Sequence, residues 1–262
     1  MSAVLYEQND RIVTVTLNRP DVLNALNPEL ARELFTALQI AATDDDVRCV
    51  VLRGAGGHFL AGGDIEFFRT QLEHTAASGR NGIAPIFEYV HGAIRTVRRM
   101  PKPVIASVSG AAAGFGVSLM AACDLAVSAD NAVFTLAYCH IGASPDGGST
   151  YFLPRIVGLK RTMELVLLGD RFDAATALNM GLVNRVVAAE KLEAETDALA
   201  ARFASGPSTA YAKAKTLVNA SLHNDLDTQL DLEQTHFLEC TSSDDFAEGV
   251  RAFCEKRRPK FL

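Results

Sequence analysis

Across residues 4–17, apolar and polar residues alternate on either side of Asn9-Asp10, a turn-forming pair, which predicts an antiparallel hairpin closing there. Arg19-Pro20 ends it. Asn27 before Pro28 reads as an N-cap with proline in the first helical position, and Leu30, Leu34, Leu38 and Ile40-Ala41 supply the apolar stripe of that helix. Cys49-Val50-Val51-Leu52, residues 103–108 and Leu125-Ala126-Val127 are short, continuous apolar runs, the first cut off by Gly54-Ala55-Gly56-Gly57. Such runs are strands buried on both faces of a largely parallel sheet. Ile86, Phe87, Val90, Ile94 and Val97, and then residues 117–122, follow a helical period between them. Strand and helix alternating in this way predict an α/β fold.

After Asn184-Arg185-Val186-Val187 the pattern changes. Residues 190–204, 207–220, 226–237 and 244–255 read as amphipathic helices with no strand among them. The expected organisation is an α/β core over residues 1–190 that carries the site, and a helical C-terminal region over 191–262 that packs on this core or on a neighbouring subunit.

Composition narrows the functional classes. The chain has 262 residues, of which 48% are hydrophobic and 21% charged, so it can sustain a core and is neither disordered nor a disulfide scaffold. A net charge of −6 argues against nucleic-acid and polybasic membrane partners, so an anionic ligand would be held locally by backbone N–H groups or a few basic side chains. The five cysteines are odd in number and in no metal-ligand spacing; they read as reduced thiols of a cytoplasmic protein, most of them in the core. The first ten residues show no signal-peptide pattern. Residues 104–123 carry no charge over the length of a membrane span, but their Ala, Gly and Ser content and β-branched opening fit a buried strand, a glycine turn and a buried helix better.

Three turns carry the candidate chemistry. Phe59-Leu60-Ala61-Gly62-Gly63-Asp64-Ile65 follows an expected strand, and Asp64 can cap the helix after it. Gly110-Ala111-Ala112-Ala113-Gly114-Phe115-Gly116 also joins a strand to a helix, without the spacing of a dinucleotide fingerprint or the lysine of a P-loop. Two such turns can aim two N–H groups at one oxygen that becomes negative during reaction, where losing one donor costs about 2.7–4 kcal/mol of transition-state stabilisation. In Ser144-Pro145-Asp146-Gly147-Gly148-Ser149-Thr150, Asp146 reads either as the N-cap of the next helix or as a carboxylate at the mouth of an apolar pocket, where desolvation raises its pKa.

Five segments in order resemble the enoyl-CoA hydratase/isomerase (crotonase) family: L-N-R-P-D-V-L-N-A-L (17–26), F-L-A-G-G-D-I (59–65), K-P-V-I-A-S-V-S-G-A-A-A-G-F-G (102–116), I-G-A-S-P-D-G-G-S-T (141–150) and G-D-R-F-D-A-A-T-A-L-N-M-G-L-V-N-R-V-V (169–187). The resemblance spans essentially the whole chain. It implies a spiral of repeated ββα units with a C-terminal helical region, assembled as a homotrimer or dimer of trimers, and an acyl-CoA thioester substrate. No separate cofactor or metal is implied, since coenzyme A is part of the substrate. It places the two oxyanion donors on the N–H groups of Gly63 and Phe115, the latter standing where most members have glycine. The CoA arm would run past Val22, Ala61, Gly63, Asp64 and Ile65. Phe253 and Lys256 would reach it from a neighbouring subunit, with Lys256 near the phosphates. Tyr138, Phe115 and residues 67–89 would line the acyl pocket.

The two glutamates with which the hydratases handle water fall on Ser118 and Tyr138, neither of which can act as a carboxylate base. Asp146 stands where certain isomerases of the family carry their acid, among them the Δ3,Δ2-enoyl-CoA and epoxyphenylacetyl-CoA isomerases, and L-D-T-Q-L-D-L-E (226–233) resembles the latter. The expected activity is therefore enoyl-CoA isomerisation in fatty-acid or phenylacetate metabolism, with Asp146 as sole acid/base. That expectation requires the Asp146 carboxylate to face the cavity with no second ionisable group poised beside it. The alternatives are an enoyl-CoA hydratase, an aryl-CoA dehalogenase-like enzyme with Asp146 as nucleophile and His91 beside it, and a non-catalytic acyl-CoA binder. His91, on the apolar face of its helix, and His140 read first as structural histidines.

Overall fold

A computed structural model describes residues 2–261. β1 (Val4–Asn9) and β2 (Ile12–Leu17) form the expected hairpin, with Asn9 paired to Ile12 and Asp10 at the tip in the left-handed region, φ 53°. α1 (Pro28–Thr43) starts where the Asn27 side chain accepts the Leu30 amide at 2.9 Å. Its buried face is Leu30, Ala31, Leu34, Ala37, Leu38 and Ala41, whereas Ile40, assigned to the stripe by the sequence pattern, is 50% exposed. There follow β3 (Cys49–Gly54), α2 (Ile65–Ser78), α3 (Ile86–Arg99), β4 (Val104–Val108), β5 (Ala111–Ala113), α4 (Phe115–Ala122), β6 (Leu125–Ala129) and β7 (Val133–Thr135). After these come α5 (Ser149–Ile156), α6 (Leu159–Leu168), β8 (Phe172–Asp173), α7 (Ala174–Asn179) and β9 (Arg185–Val187), and then α8 (Leu192–Ala204), α9 (Ser208–Ala220), α10 (Leu226–Thr241) and α11 (Asp244–Cys254). The uncharged stretch 104–123 is thus β4, a turn, β5 and α4; no helix among the described residues is long and apolar enough to cross a membrane.

Six strands form one sheet in the order β1-β2-β3-β4-β6-β9, parallel except for the opening hairpin. Alternate side chains go to opposite faces. Val13, Val15, Val50, Leu52 and Ala106 join the main core with the buried faces of α1, α3 and α4. Cys49, Val51, Ile105 and Val127 meet Leu192, Leu199 and Ala200 of α8 on the other side. Both faces are therefore covered, which is why β3 and β4 read as continuous apolar runs. α8 forms a layer of this core, so the helical region beyond residue 190 begins packed on the sheet. Only Cys49 and Cys123 of the five free thiols are buried, and burial pushes the Cys49 thiol up to about 12.

A second sheet, β5-β7-β8, has strands of three, three and two residues, too short for the sequence to show alternation. It fixes the two glycine turns. Leu60 bridges Ala112 in parallel, the Ala113 amide donates to the Leu60 carbonyl at 2.8 Å, and the Gly114 amide donates to Thr135 at 2.9 Å.

Candidate active site

The first turn runs from β3 to α2. Phe59 and Leu60 are fully buried anchors, and Asp64 caps α2 through the amides of Glu66 and Phe67 at 3.0 and 3.3 Å. The same carboxylate pairs with Arg19 at 2.9 Å. The Asp64 carboxylate thus clasps the start of α2 to Arg19. Behind it sits Asn24, fully buried: its side chain accepts the Arg19 amide and donates to the carbonyls of Ala55 and His58 at 2.9 and 2.7 Å. Sequence reasoning assigned no role to Arg19 or Asn24, although both lie in the 17–26 segment. A buried side-chain amide with its groups satisfied holds the loop of Val22, 43% exposed, against the turn after β3. The Ala61 amide donates to Leu23 at 3.1 Å, and Ile65 is 60% exposed.

The second turn lies alongside. Gly116 is required by close approach, because a Cβ there would stand 2.2 Å from the Leu60 carbonyl oxygen. Gly114, at φ 49° and ψ −117°, occupies backbone space that other residues avoid. Phe115 then opens α4, its ring buried and its amide at the positive end of the helix dipole. Among the described residues, neither the Gly63 nor the Phe115 amide finds a protein acceptor. Gly114→Ala is expected to lower stability by about 1–3 kcal/mol, the range for one residue held in disfavoured backbone space. Because Phe115 follows directly, turnover should fall by more than the loss of folded protein explains; melting and kcat measured together check this.

The third turn brings in Asp146. It is not the N-cap of α5: that position is Gly148, and no side chain caps the helix. The main-chain carbonyl of Asp146 instead accepts the hydroxyls of Ser118 and Ser149 at 2.9 and 3.1 Å. Its carboxylate Oδ1 accepts the Tyr138 hydroxyl at 2.5 Å, and Oδ2 takes no hydrogen bond from another described residue. The turn packs on the second one, since a Cβ on Gly147 would lie 2.7 Å from the Phe115 ring and 2.9 Å from Ser118. Burial raises the Asp146 carboxyl above the ordinary carboxylate range, opposed by the Tyr138 hydrogen bond and by the charge of His91. A second titratable group does therefore stand beside Asp146. Burial first, then the charge of Asp146, push the Tyr138 phenol up, so it keeps its proton and does not compete as a base.

His91 is not a core histidine. It is exposed on α3, with its ring 5.3 Å from that of Phe87. His140 is exposed too, its Nε2 3.2 Å from the Leu168 carbonyl oxygen. Phe253 is 86% exposed and lines an apolar groove of about 370 Å³ with Pro207, Phe246, Val250 and Phe261. Lys256 follows α11 at φ 57°. None of the residues lining that groove belongs to the three turns. Among the described residues no cluster of three or more His, Cys, Asp or Glu could hold a metal ion.

A doubly covered parallel sheet, a small second sheet that pins two glycine turns together, and a helical C-terminal region make up the crotonase fold. The family model for enoyl-CoA hydratase/isomerase matches residues 7–262, and the chain belongs to that family of enzymes. The 1,2-epoxyphenylacetyl-CoA isomerase of Escherichia coli is 36% identical over 100% of this chain and 98% of its own. A Rhodobacter capsulatus protein named "probable enoyl-CoA hydratase" is 39% identical over 98% and 97%. The crystal structure of an enoyl-CoA hydratase from Polaromonas sp. JS666 superposes with a TM-score of 0.92 at 35% identity, covering 99% of each chain.

Proposed function

We propose that this enzyme is an enoyl-CoA isomerase in which Asp146 carries a proton between two carbons of an acyl-CoA thioester. The observation that supports this most directly is the character of the side chains around the Phe115 turn. Ser118 and Tyr138 are neutral, Asp64 is engaged by Arg19 and the start of α2, and Asp146 keeps one carboxylate oxygen free of other residues. The Gly63 and Phe115 amides receive the thioester oxygen. Asp146 as carboxylate takes a proton from the carbon α to the thioester of a 3-enoyl-CoA, and the two N–H groups stabilise the dienolate oxygen. Asp146, now the neutral acid, returns the proton at the γ carbon and leaves the 2-enoyl-CoA. No water is consumed, so one carboxyl group suffices. Its raised pKa brings the acid and base forms closer in energy near neutral pH.

The same reading has the protein act as a homotrimer or dimer of trimers in the cytoplasm, with Phe253 and Lys256 of each chain completing a neighbour's CoA site. The exposure of Phe253 supports it, as does that of Leu226, Phe237 and Val250 on the C-terminal helices. One observation favours a second reading: His91 is exposed and its charge is felt at Asp146, as a dehalogenase-like enzyme with an aspartate nucleophile would require.

Incubation with 3-enoyl-CoA and 2-enoyl-CoA in deuterated water, read by mass, tests these readings. Double-bond migration with deuterium uptake is expected. A gain of the mass of water identifies a hydratase, and tight binding without exchange identifies a non-catalytic binder. Chloride release from 4-chlorobenzoyl-CoA would favour the dehalogenase.

A further inference from the structure

The two positions that resemble the glutamate sites of hydratases are not simply vacant of chemistry. The Ser118 hydroxyl is 3.3 Å from the Tyr138 hydroxyl and donates to the Asp146 carbonyl at 2.9 Å, while the Tyr138 hydroxyl donates to Asp146 Oδ1 at 2.5 Å. Ser118 is fully buried on α4, Tyr138 is half-buried, and the Tyr138 ring lies against the oxyanion turn, its Cζ 3.6 Å from where a Cβ on Gly114 would stand. Ser149 closes the arrangement from α5 through the same Asp146 carbonyl at 3.1 Å.

Resting on the isomerase reading, we infer that Ser118 and Tyr138 form a clamp that makes Tyr138 a positioning residue: it fixes one oxygen of Asp146 so that only the other meets substrate, and its ring fills the space where a second acid–base group and its water would stand. The physical consequence is double. A carboxylate held at two points, main chain and Oδ1, loses the rotations that would turn Oδ2 away from the thioester, and productive geometry matters steeply for proton transfer. The phenol also stabilises the ionised form of Asp146. The charge of His91, on α3, acts in the same direction, so the hydrogen bond and the charge effect are separable by substitution.

Tyr138→Phe removes one oxygen and leaves the ring. It should lower kcat by about 10–100-fold, the value of a hydrogen bond to a charged group, with KM little changed. The acid limb of the kcat profile should move to higher pH, because a donor to the charged form is gone. The clamp is also read without turnover: the Asp146 carboxyl carbon, labelled with 13C and assigned by its loss in Asp146→Asn, should titrate at higher pH in Tyr138→Phe than in the unaltered protein. Incorporating 3-fluorotyrosine at position 138 strengthens the donor and should move the same titration to lower pH. Identical titrations in all three proteins overturn the clamp. Shifted titrations in a protein that moves no double bond leave the clamp standing and overturn the isomerase reading.

Discussion

Asp146→Asn is expected to abolish isomerisation while leaving the fold intact. General acid–base catalysis is worth roughly 10²–10⁴ in rate, and with the Tyr138 phenol keeping its proton, the whole of that factor should disappear from kcat. Asparagine keeps an oxygen for the Tyr138 hydroxyl and a main-chain carbonyl for Ser118 and Ser149, so the turn keeps its hydrogen bonds. The effect on stability has the opposite sign to the effect on rate. The folded Asp146 carboxyl titrates above its unfolded value because it is buried. Between those two values the folded state binds more protons than the unfolded state, so stability falls as pH rises through that window and stays lower above it. Asparagine never ionises, so at neutral pH the variant should melt at or above the temperature of the unaltered protein. The advantage should shrink as the pH is lowered toward the unfolded carboxyl value. Retained turnover on bound enoyl-CoA would remove Asp146 from the mechanism, and a collapsed melting temperature would return it to a structural role.

The central architecture was legible because its signals are strong physical ones. β3, β4 and β6 are apolar on successive residues because α8 covers one face of the sheet and the α1, α3 and α4 layer the other. Asn27 and Pro28 announce α1 through a cap and a pre-set φ. The small second sheet was illegible, since its strands are held by pairing with neighbours and not by any pattern of their own. At the site, spacing could not decide whether Asp146 caps a helix or serves chemistry, because either role puts an acid just ahead of a helix start. Gly148, whose left-handed backbone takes the cap position, removes the capping role and leaves the carboxylate to the Tyr138 hydroxyl. His91 shows the complementary limit: helical periodicity places a residue on a face but does not say whether anything covers it. Arg19 and Asn24 act through partners 31–45 residues away, at distances where one sequence carries no signal.

Lys215→Met should be the most destabilising substitution outside the main apolar core. The Lys215 side chain is 9% exposed on α9, and its ammonium donates to the carbonyls of Val97 and Lys102 at 2.7 and 3.0 Å and to Asp124 Oδ2 at 2.7 Å. Asp124 in turn accepts the Val104 amide at 2.8 Å, so one ion pair ties α9 to the end of α3, the start of β4 and the junction of α4 with β6. Burial raises the Asp124 carboxyl and lowers the Lys215 amine, and each opposes the shift of the other. Methionine fills the space but leaves a buried carboxylate uncompensated and two carbonyls without their donor, a loss of about 3–5 kcal/mol. For a chain of this size that corresponds to a melting temperature lower by roughly 6–20 °C. Without the ammonium, the folded Asp124 carboxyl rises further above its unfolded value, so the deficit should be largest at neutral pH and diminish as acid protonates it. Asp124→Asn added to Lys215→Met should recover part of the loss by removing the stranded charge. Equal melting of Lys215→Met and the unaltered protein would mean that this ion pair adds nothing to the stability of the fold.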